Sequence, residues 1–250
     1  MCTVSWLRQV EGYVLLCNRD ERRTRKPASG PKIGEVRGVS FVAPVDGDHG
    51  GSWIGTNQFG LTLCLLNRYG NWKPDPNRDY TSRGLLLIDL LDCRCSQHLS
   101  ERLDHLELYR FQPFTMVVLS IDEPATLIDW TGLECTIQLD AEARMPLTSS
   151  SLKDPNVSTL RHELFAEMVS QRGSIDQELL HKFHRSHLPK RGPRSVCMHR
   201  DDAVSVSLSI VSVGPAAVEF LYHPQSPCLK ATEEKVSLKR TAVRSQAVGI

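Results

Sequence analysis

The sequence predicts a layered α+β protein rather than a doubly wound parallel sheet. Three observations carry that expectation. Strand-like runs come first, then a helical block, more strands, a second helical block and final strands, so element types are grouped rather than strictly alternating. The 250 residues suffice for one large domain or two small ones. Apolar residues at 40% and charged residues at 24% match ordinary globular usage, which excludes disordered and fibrous classes.

The elements follow in order. Val4 to Leu7 leads into a turn at Gln9 to Gly12, and Tyr13 to Cys17 returns as a buried strand of a hairpin. Residues 22–38 are basic and rich in Gly and Pro, and read as an exposed loop whose run Arg22 to Lys26 is a solvated face. Ser52 to Gly55 and Leu61 to Leu66 are strands flanking a turn at Asn57 to Gly60. From Thr81 the period becomes helical. Leu85, Ile88 and Leu91 mark one helix and Leu99, Leu103 and Leu106 another, with Ser96 and Ser100 as caps.

Strands resume at Thr115 to Ser120, Thr126 to Trp130 and Cys135 to Leu139. Helical spacing returns over Val157 to Val169 and Ile175 to Phe183. Val204, Val206, Leu208 and Ile210 alternate with Ser205, Ser207 and Ser209, which predicts a half-buried strand with one polar face. Beyond Cys228 the composition turns polar. The expected organisation is one domain over 1–228 and a polar tail over 229–250, frayed from Glu233 onward.

Composition removes several functions. Thirty basic residues against 29 acidic ones give a net charge of +1, with no electrostatic footprint for nucleic acid. Apolar runs such as Leu85 to Ile88 are far short of a membrane span, which takes about 20 residues. The first residues lack the basic start and long apolar stretch of a secretory signal, so a cytoplasmic protein is expected. The eight cysteines are scattered with no C-x-x-C pair, and reduced thiols are expected. Cys17, Cys64 and Cys135 lie in apolar runs and read as small core hydrophobes. His181, His184 and His187 have helical spacing, with Cys197 and His199 beyond. The cluster offers ligands for a metal or haem iron but has no standard zinc spacing, so a polar helix end is the preferred reading and no metal site is assigned.

Cys2 stands apart because it follows Met1. Methionine is excised before small residues, and its loss would give one residue both an α-amine and a thiol. With reference pKa values of roughly 7.7–8.0 and 8.5, the amine can act as base for the adjacent nucleophile. Asn18-Arg19-Asp20-Glu21 ends the second strand of the hairpin, which would return it beside residue 2. An acid there would anchor the ammonium, and Arg19 would favour the thiolate.

Cys2, Asn18-Arg19-Asp20-Glu21, Gly50 to Gly55, Asn57 to Leu61 and Asn67 together resemble the NRDE family, also called the transport and Golgi organization 2 family. Leu147 to Ser151 and Ser195 to Arg200 belong to the same pattern. That family is similar in turn to the cysteine N-terminal-nucleophile hydrolases, such as bile-salt hydrolase and penicillin V acylase. The resemblance implies two antiparallel sheets between two helical layers, a four-layer αββα sandwich. It implies Cys2 as nucleophile, Asp20 as the anchor of its amine, with Asn18 opening the same Asn-x-Asp, and Asn67 as an oxyanion ligand. Ser149 stands where the acylases carry a second Asn, and Arg161 is matched to their distal Arg at a different spacing. The implied reaction is cleavage or transfer of an amide or related small-molecule acyl group, with no cofactor required. The alternative it implies is a non-catalytic haem or lipid binding and trafficking protein, with haem as ligand and the His and Cys side chains named above as its contacts.

Overall fold

The computed structural model describes residues 2–152, 154 and 156–242. Its first elements are the predicted hairpin, β1 (Cys2–Gln9) and β2 (Gly12–Arg22), paired antiparallel with Cys2 opposite Arg19 and Gln9 opposite Gly12. A second pair, β3 (Ser29–Val36) and β4 (Val39–Val45), follows. Then come β5 (Ile54–Asn57), β6 (Thr62–Asn67) and helices α1 (Arg83–Leu90) and α2 (Ser96–Asp104). Strands β7 (Phe114–Leu119), β8 (Thr126–Trp130), β9 (Cys135–Gln138) and β10 (Leu147–Ser149) precede α3 (Asn156–Arg172) and α4 (Gln177–His184). The described chain closes with β11 (Ala203–Val213), β12 (Ala217–His223) and β13 (Glu234–Lys239).

The strands form two sheets whose adjacent strands run antiparallel. One has the order β10-β1-β2-β11-β12-β13 and the other β3-β4-β5-β6-β7-β8-β9. Strand alternation sorts their side chains into layers. Tyr13, Leu15 and Cys17 of β2 meet Cys64 and Leu66 of β6 between the sheets. Val14 and Leu16 point the other way, onto Leu164, Leu179 and Phe183 of α3 and α4. Leu63 and Leu65 of β6 pack outward on Leu87 and Leu90 of α1. Central strands buried on both faces read as continuous apolar runs, because each successive residue enters a different core. Each such fully buried Leu contributes about 1.5–3 kcal/mol relative to exposure. The result is the αββα sandwich.

Several expectations fail for identifiable reasons. The loop expected over 22–38 contains β3, an edge strand with exposed Lys32 and Glu35, and the charge that suggested a loop is what protects such an edge from further pairing. The expected tail contains β13, paired with β12 from Ala217–Lys239 to Tyr222–Glu234. It too is a polar edge, so no apolar alternation announced it, and it places the end of the folded domain beyond 228. Residues 243–250 lie outside the described residues. Helix α1 buries Leu86, Leu87 and Leu90 and exposes Leu85, a rotated face. Cys95, not Ser96, is the N-cap of α2, and Ser100 lies within the helix, donating to the Ser96 carbonyl. Cys135 is exposed on edge strand β9 rather than in the core.

The serine stripe of β11 is buried, not solvated, because the strand lies between β2 and β12. A register shift between Ser205 and Ser207 leaves Val206 as an extra residue, so Ser205 pairs with Asp20 and Ser207 with Arg19. The bulge therefore divides the serines between the two faces of the sheet.

Candidate active site

Cys2 is the first residue of β1 and stands between Arg19 of β2 and Ser149 of β10. The hairpin thus brings the Asn18 to Glu21 segment beside residue 2, as expected, although that segment lies within β2 rather than beyond it. The Cys2 N–H donates to Ser149 Oγ at 3.1 Å. Cys2 is 6% exposed and, with Asp20 and Asn67, lines a cavity of about 360 Å³. Its hydrogen bond with Cys17 and its burial push the thiol well above its ordinary pKa. That direction is opposite to the lowering expected from Arg19.

Arg19 explains part of that result. Its guanidinium stacks on the Trp53 ring, 4.1 Å from the centroid, and ion-pairs with Asp46, with Glu21 at 3.6 Å. Its charge is spent on these partners rather than on the thiol. Arg25 adds a second pair to Asp46 at 2.6 Å. Burial alone would raise the Asp46 carboxyl, but the His49 amide, Arg19 and Arg25 outweigh it and hold the pKa low. The predicted solvated basic run therefore supplies one wall ion pair of the cavity.

Asp20 is 1% exposed. It accepts a hydrogen bond from Ser205 Oγ at 2.5 Å, and Arg161 lies 4.0 Å from its other oxygen. Burial raises its pKa, while Arg161 and Ser205 oppose the rise. Arg161, also 1% exposed, donates to Thr3 Oγ1 and Thr148 Oγ1, both at 2.8 Å, and to the Ser195 carbonyl at 2.8 Å. It is a buried brace behind β1 and β10, not a side chain of the cavity wall. Asn18 is likewise internal. Its amide donates to the carbonyls of His184 (2.8 Å) and Val196 (3.2 Å), and its oxygen faces His184 Nδ1 at 3.0 Å.

Asn67 ends β6 at the cavity rim, with its amide donating to Tyr69 Oη at 3.2 Å. It also lines a smaller neighbouring cleft with Ser149. Sequence reasoning missed Arg83, which opens α1 on the cavity wall and donates to the Pro113 carbonyl at 2.8 Å. The Gly50-Gly51 pair offered the signal. Gly50 has φ +69°, and a Cβ on Gly51 would lie 2.4 Å from the Gly84 carbonyl carbon, so this pair lets the α1 terminus approach the cavity.

The histidines separate. His184 is fully buried, with Ser5 Oγ 2.8 Å from Nε2 and Asn18 on Nδ1. Both ring nitrogens are engaged, and burial lowers its pKa to about 3. That removes it from the haem contacts expected for a carrier. His187, Cys197 and His199 do converge, joined by Cys228.

Two antiparallel sheets enclosed by helical layers, with a cysteine at the start of a central hairpin facing a cavity, define the N-terminal-nucleophile hydrolase fold. Solved structures bear this out. The chain is similar to conjugated bile acid hydrolase from Clostridium perfringens at 10% identity and TM-score 0.57, covering 94% of this chain and 92% of that one. It is similar to penicillin V acylase from Agrobacterium tumefaciens at 10% identity and TM-score 0.56, covering 94% and 86%. It is similar to the Caenorhabditis elegans ortholog of N-acylethanolamine-hydrolyzing acid amidase at 12% identity and TM-score 0.57, covering 92% and 94%. The chain belongs to the Transport and Golgi organisation 2 family, whose model matches residues 1–212. No curated protein matches it in sequence.

Proposed function

We propose that this protein is an N-terminal-nucleophile amidohydrolase or acyl-transfer enzyme in which Cys2 attacks an amide or related acyl carbonyl. One observation carries the reading: Cys2, Asp20 and Asn67 line the same cavity. Removal of Met1 frees the Cys2 amine. A thiol with a raised pKa stays protonated until its own amine takes the proton during attack. Ser149, which already accepts from the Cys2 nitrogen, and the Asp20 carboxylate hold the amine. The sulfur adds to the carbonyl carbon, and the Asn67 amide receives the negative oxygen. The ammonium then protonates the leaving amine as the C–N bond breaks, which leaves a thioester. Water, deprotonated by the same amine, releases the carboxylic acid and restores the thiol.

Arg83 gives the wall a cation whose pKa is lowered by burial, with no ion pair recorded for it among the described residues. A substrate bearing a carboxylate or another anion fits that wall. The test is turnover of N-acyl amides, with and without an anionic group, by the Met1-free protein. Release of amine that is lost in Cys2→Ala and favours the anionic members supports the reading. No release across the panel, with stoichiometric ligand binding that survives Cys2→Ala, indicates a carrier on the same scaffold.

A further inference from the structure

Behind the Asp20 layer, four side chains from separate segments meet. His187 follows α4, Cys197 and His199 precede β11, and Cys228 follows β12. Their ligand atoms lie within 4.8 Å of one another. His187 Nε2 is 3.2 Å from His199 Nε2, and each of the two sulfurs is 3.5 Å from His199 Nε2.

The three distances to His199 Nε2 have the lengths of a metal tetrahedron's edges. An edge is about 1.6 times the metal–ligand bond. Zinc bonds of about 2.0–2.1 Å to nitrogen and about 2.3 Å to sulfur give edges of roughly 3.3 Å between nitrogens and roughly 3.6 Å between nitrogen and sulfur. Hydrogen bonding accounts for the cluster poorly. The in-plane position of His199 Nε2 holds either one proton or one lone pair, and cannot serve three neighbours at once. One cation at the centre satisfies all four groups.

We propose that His187, Cys197, His199 and Cys228 form a structural zinc site. Two imidazoles and two thiolates are a zinc-type donor set, and four protein ligands leave no open position for catalysis. Two thiolates also neutralise the ion, which suits a half-buried location. The exposed Arg191 has an Nη 3.3 Å from His199 Nδ1. Metal on Nε2 puts the proton on Nδ1, so Arg191 leaves that contact for solvent.

The site braces the layer that carries Asp20. Met198, between the two ligands of the 197–199 segment, exchanges backbone and side-chain hydrogen bonds with Ser205. Ser226, two residues before Cys228, donates to the Ser205 carbonyl at 2.7 Å, and Ser205 holds Asp20. Zinc would tie these loops together whether or not Cys2 catalyses a reaction.

The experiment is metal analysis of protein purified without chelator, joined to Co²⁺ substitution of the same protein. The expected result is about one zinc per chain and an intense tetrahedral Co²⁺ spectrum with sulfur-to-cobalt charge-transfer bands. Chelator should lower the melting temperature of the natural protein. Cys228→Ser should lose the charge-transfer intensity of one sulfur, and His199→Ala should lose stoichiometric metal. If a variant fails to fold, the natural protein's Co²⁺ spectrum and chelator response decide alone. Metal-free protein with an octahedral Co²⁺ spectrum overturns the proposal. So does a Cys197–Cys228 disulfide in protein whose thiols were trapped at lysis.

Discussion

Cys2 and Arg19 face each other across the β1–β2 ladder, yet the Arg19 guanidinium turns to the Trp53 ring and to Asp46. The thiol meets Cys17 instead, and that hydrogen bond is the first cause of its raised pKa, ahead of burial. Cys2 should therefore react with iodoacetamide more slowly than exposed Cys135 at pH 7, and its rate should climb as the pH becomes alkaline. Cys17→Ala should speed Cys2 labelling, whereas Arg19→Ala should leave it within about twofold. Site-resolved mass spectrometry across pH measures both, and faster labelling of Cys2 than Cys135 would contradict the account.

Asp20 must be ionised to hold an ammonium, and its folded pKa lies above 3.8 because burial opposes the charge. Activity should fall as pH drops through that raised value. Ser205→Ala removes a hydrogen bond that lowers the pKa, so the acid limb of kcat/KM should move to higher pH. A pH–rate profile identical to that of the natural protein would remove Ser205 and Asp20 from this role.

Arg161 should matter to folding more than to substrate binding. Its replacement by Met removes bonds to Thr3, Thr148 and Ser195 and takes the Arg161 cation away from buried Asp20. Breaking such a buried pair costs about 3–5 kcal/mol. Urea denaturation of Arg161→Met should show a loss of that order at neutral pH. A change below about 1 kcal/mol, on the scale of an exposed pair, would contradict the buried geometry.

His184 sets a pH dependence of stability. Its pKa is about 3 when folded against a reference of 6.5, so the unfolded chain takes up the proton first as pH falls. The stability present above pH 6.5 should be lost progressively between about 6.5 and 3, at up to about 1.4 kcal/mol per pH unit. His184→Gln lowers stability overall by disturbing the Ser5 and Asn18 bonds, but it should flatten this slope. Urea midpoints at several pH values separate the two effects.

The parts of the fold legible in the sequence are those whose side chains are sorted by burial. Tyr13 to Cys17 and Leu61 to Leu66 read as strands because each residue enters a core, between the sheets or under the helices. β3 and β13 were hidden because edge strands carry Lys and Glu on faces that solvent reaches. The Val206 bulge leaves the Val–Ser alternation intact, so nothing in the pattern shows that Ser205 and Ser207 take opposite faces. In the site, Cys2 and Asp20 were legible because a hairpin fixes their proximity. The inward turn of Arg161, the alliance of Arg19 with Trp53 and the approach of Arg83 depend on packing between distant segments. The same holds for Cys228, 29 residues from His199, whose place in the His–Cys cluster no local spacing encodes.

Asn67 should carry a catalytic role without a structural one. Asn67→Ala removes an amide at a half-exposed rim position whose recorded side-chain partner is Tyr69. The expected effect is a fall of about 10²–10³ in kcat with KM little changed. The melting temperature should be unchanged. A loss expressed in KM alone would make Asn67 a binding residue instead.

The central claim is that Cys2 becomes acylated, and intact-mass analysis tests it most directly. Met1-free protein incubated with an activated acyl ester and quenched in acid should gain one acyl mass, mapped by peptide sequencing to Cys2. Cys2→Ala and the Met1-retaining form should gain none, since one lacks the sulfur and the other lacks the amine that serves as base. Protein isolated with Met1 still attached, or acylation spread equally over Cys2 and exposed Cys135, would contradict the account.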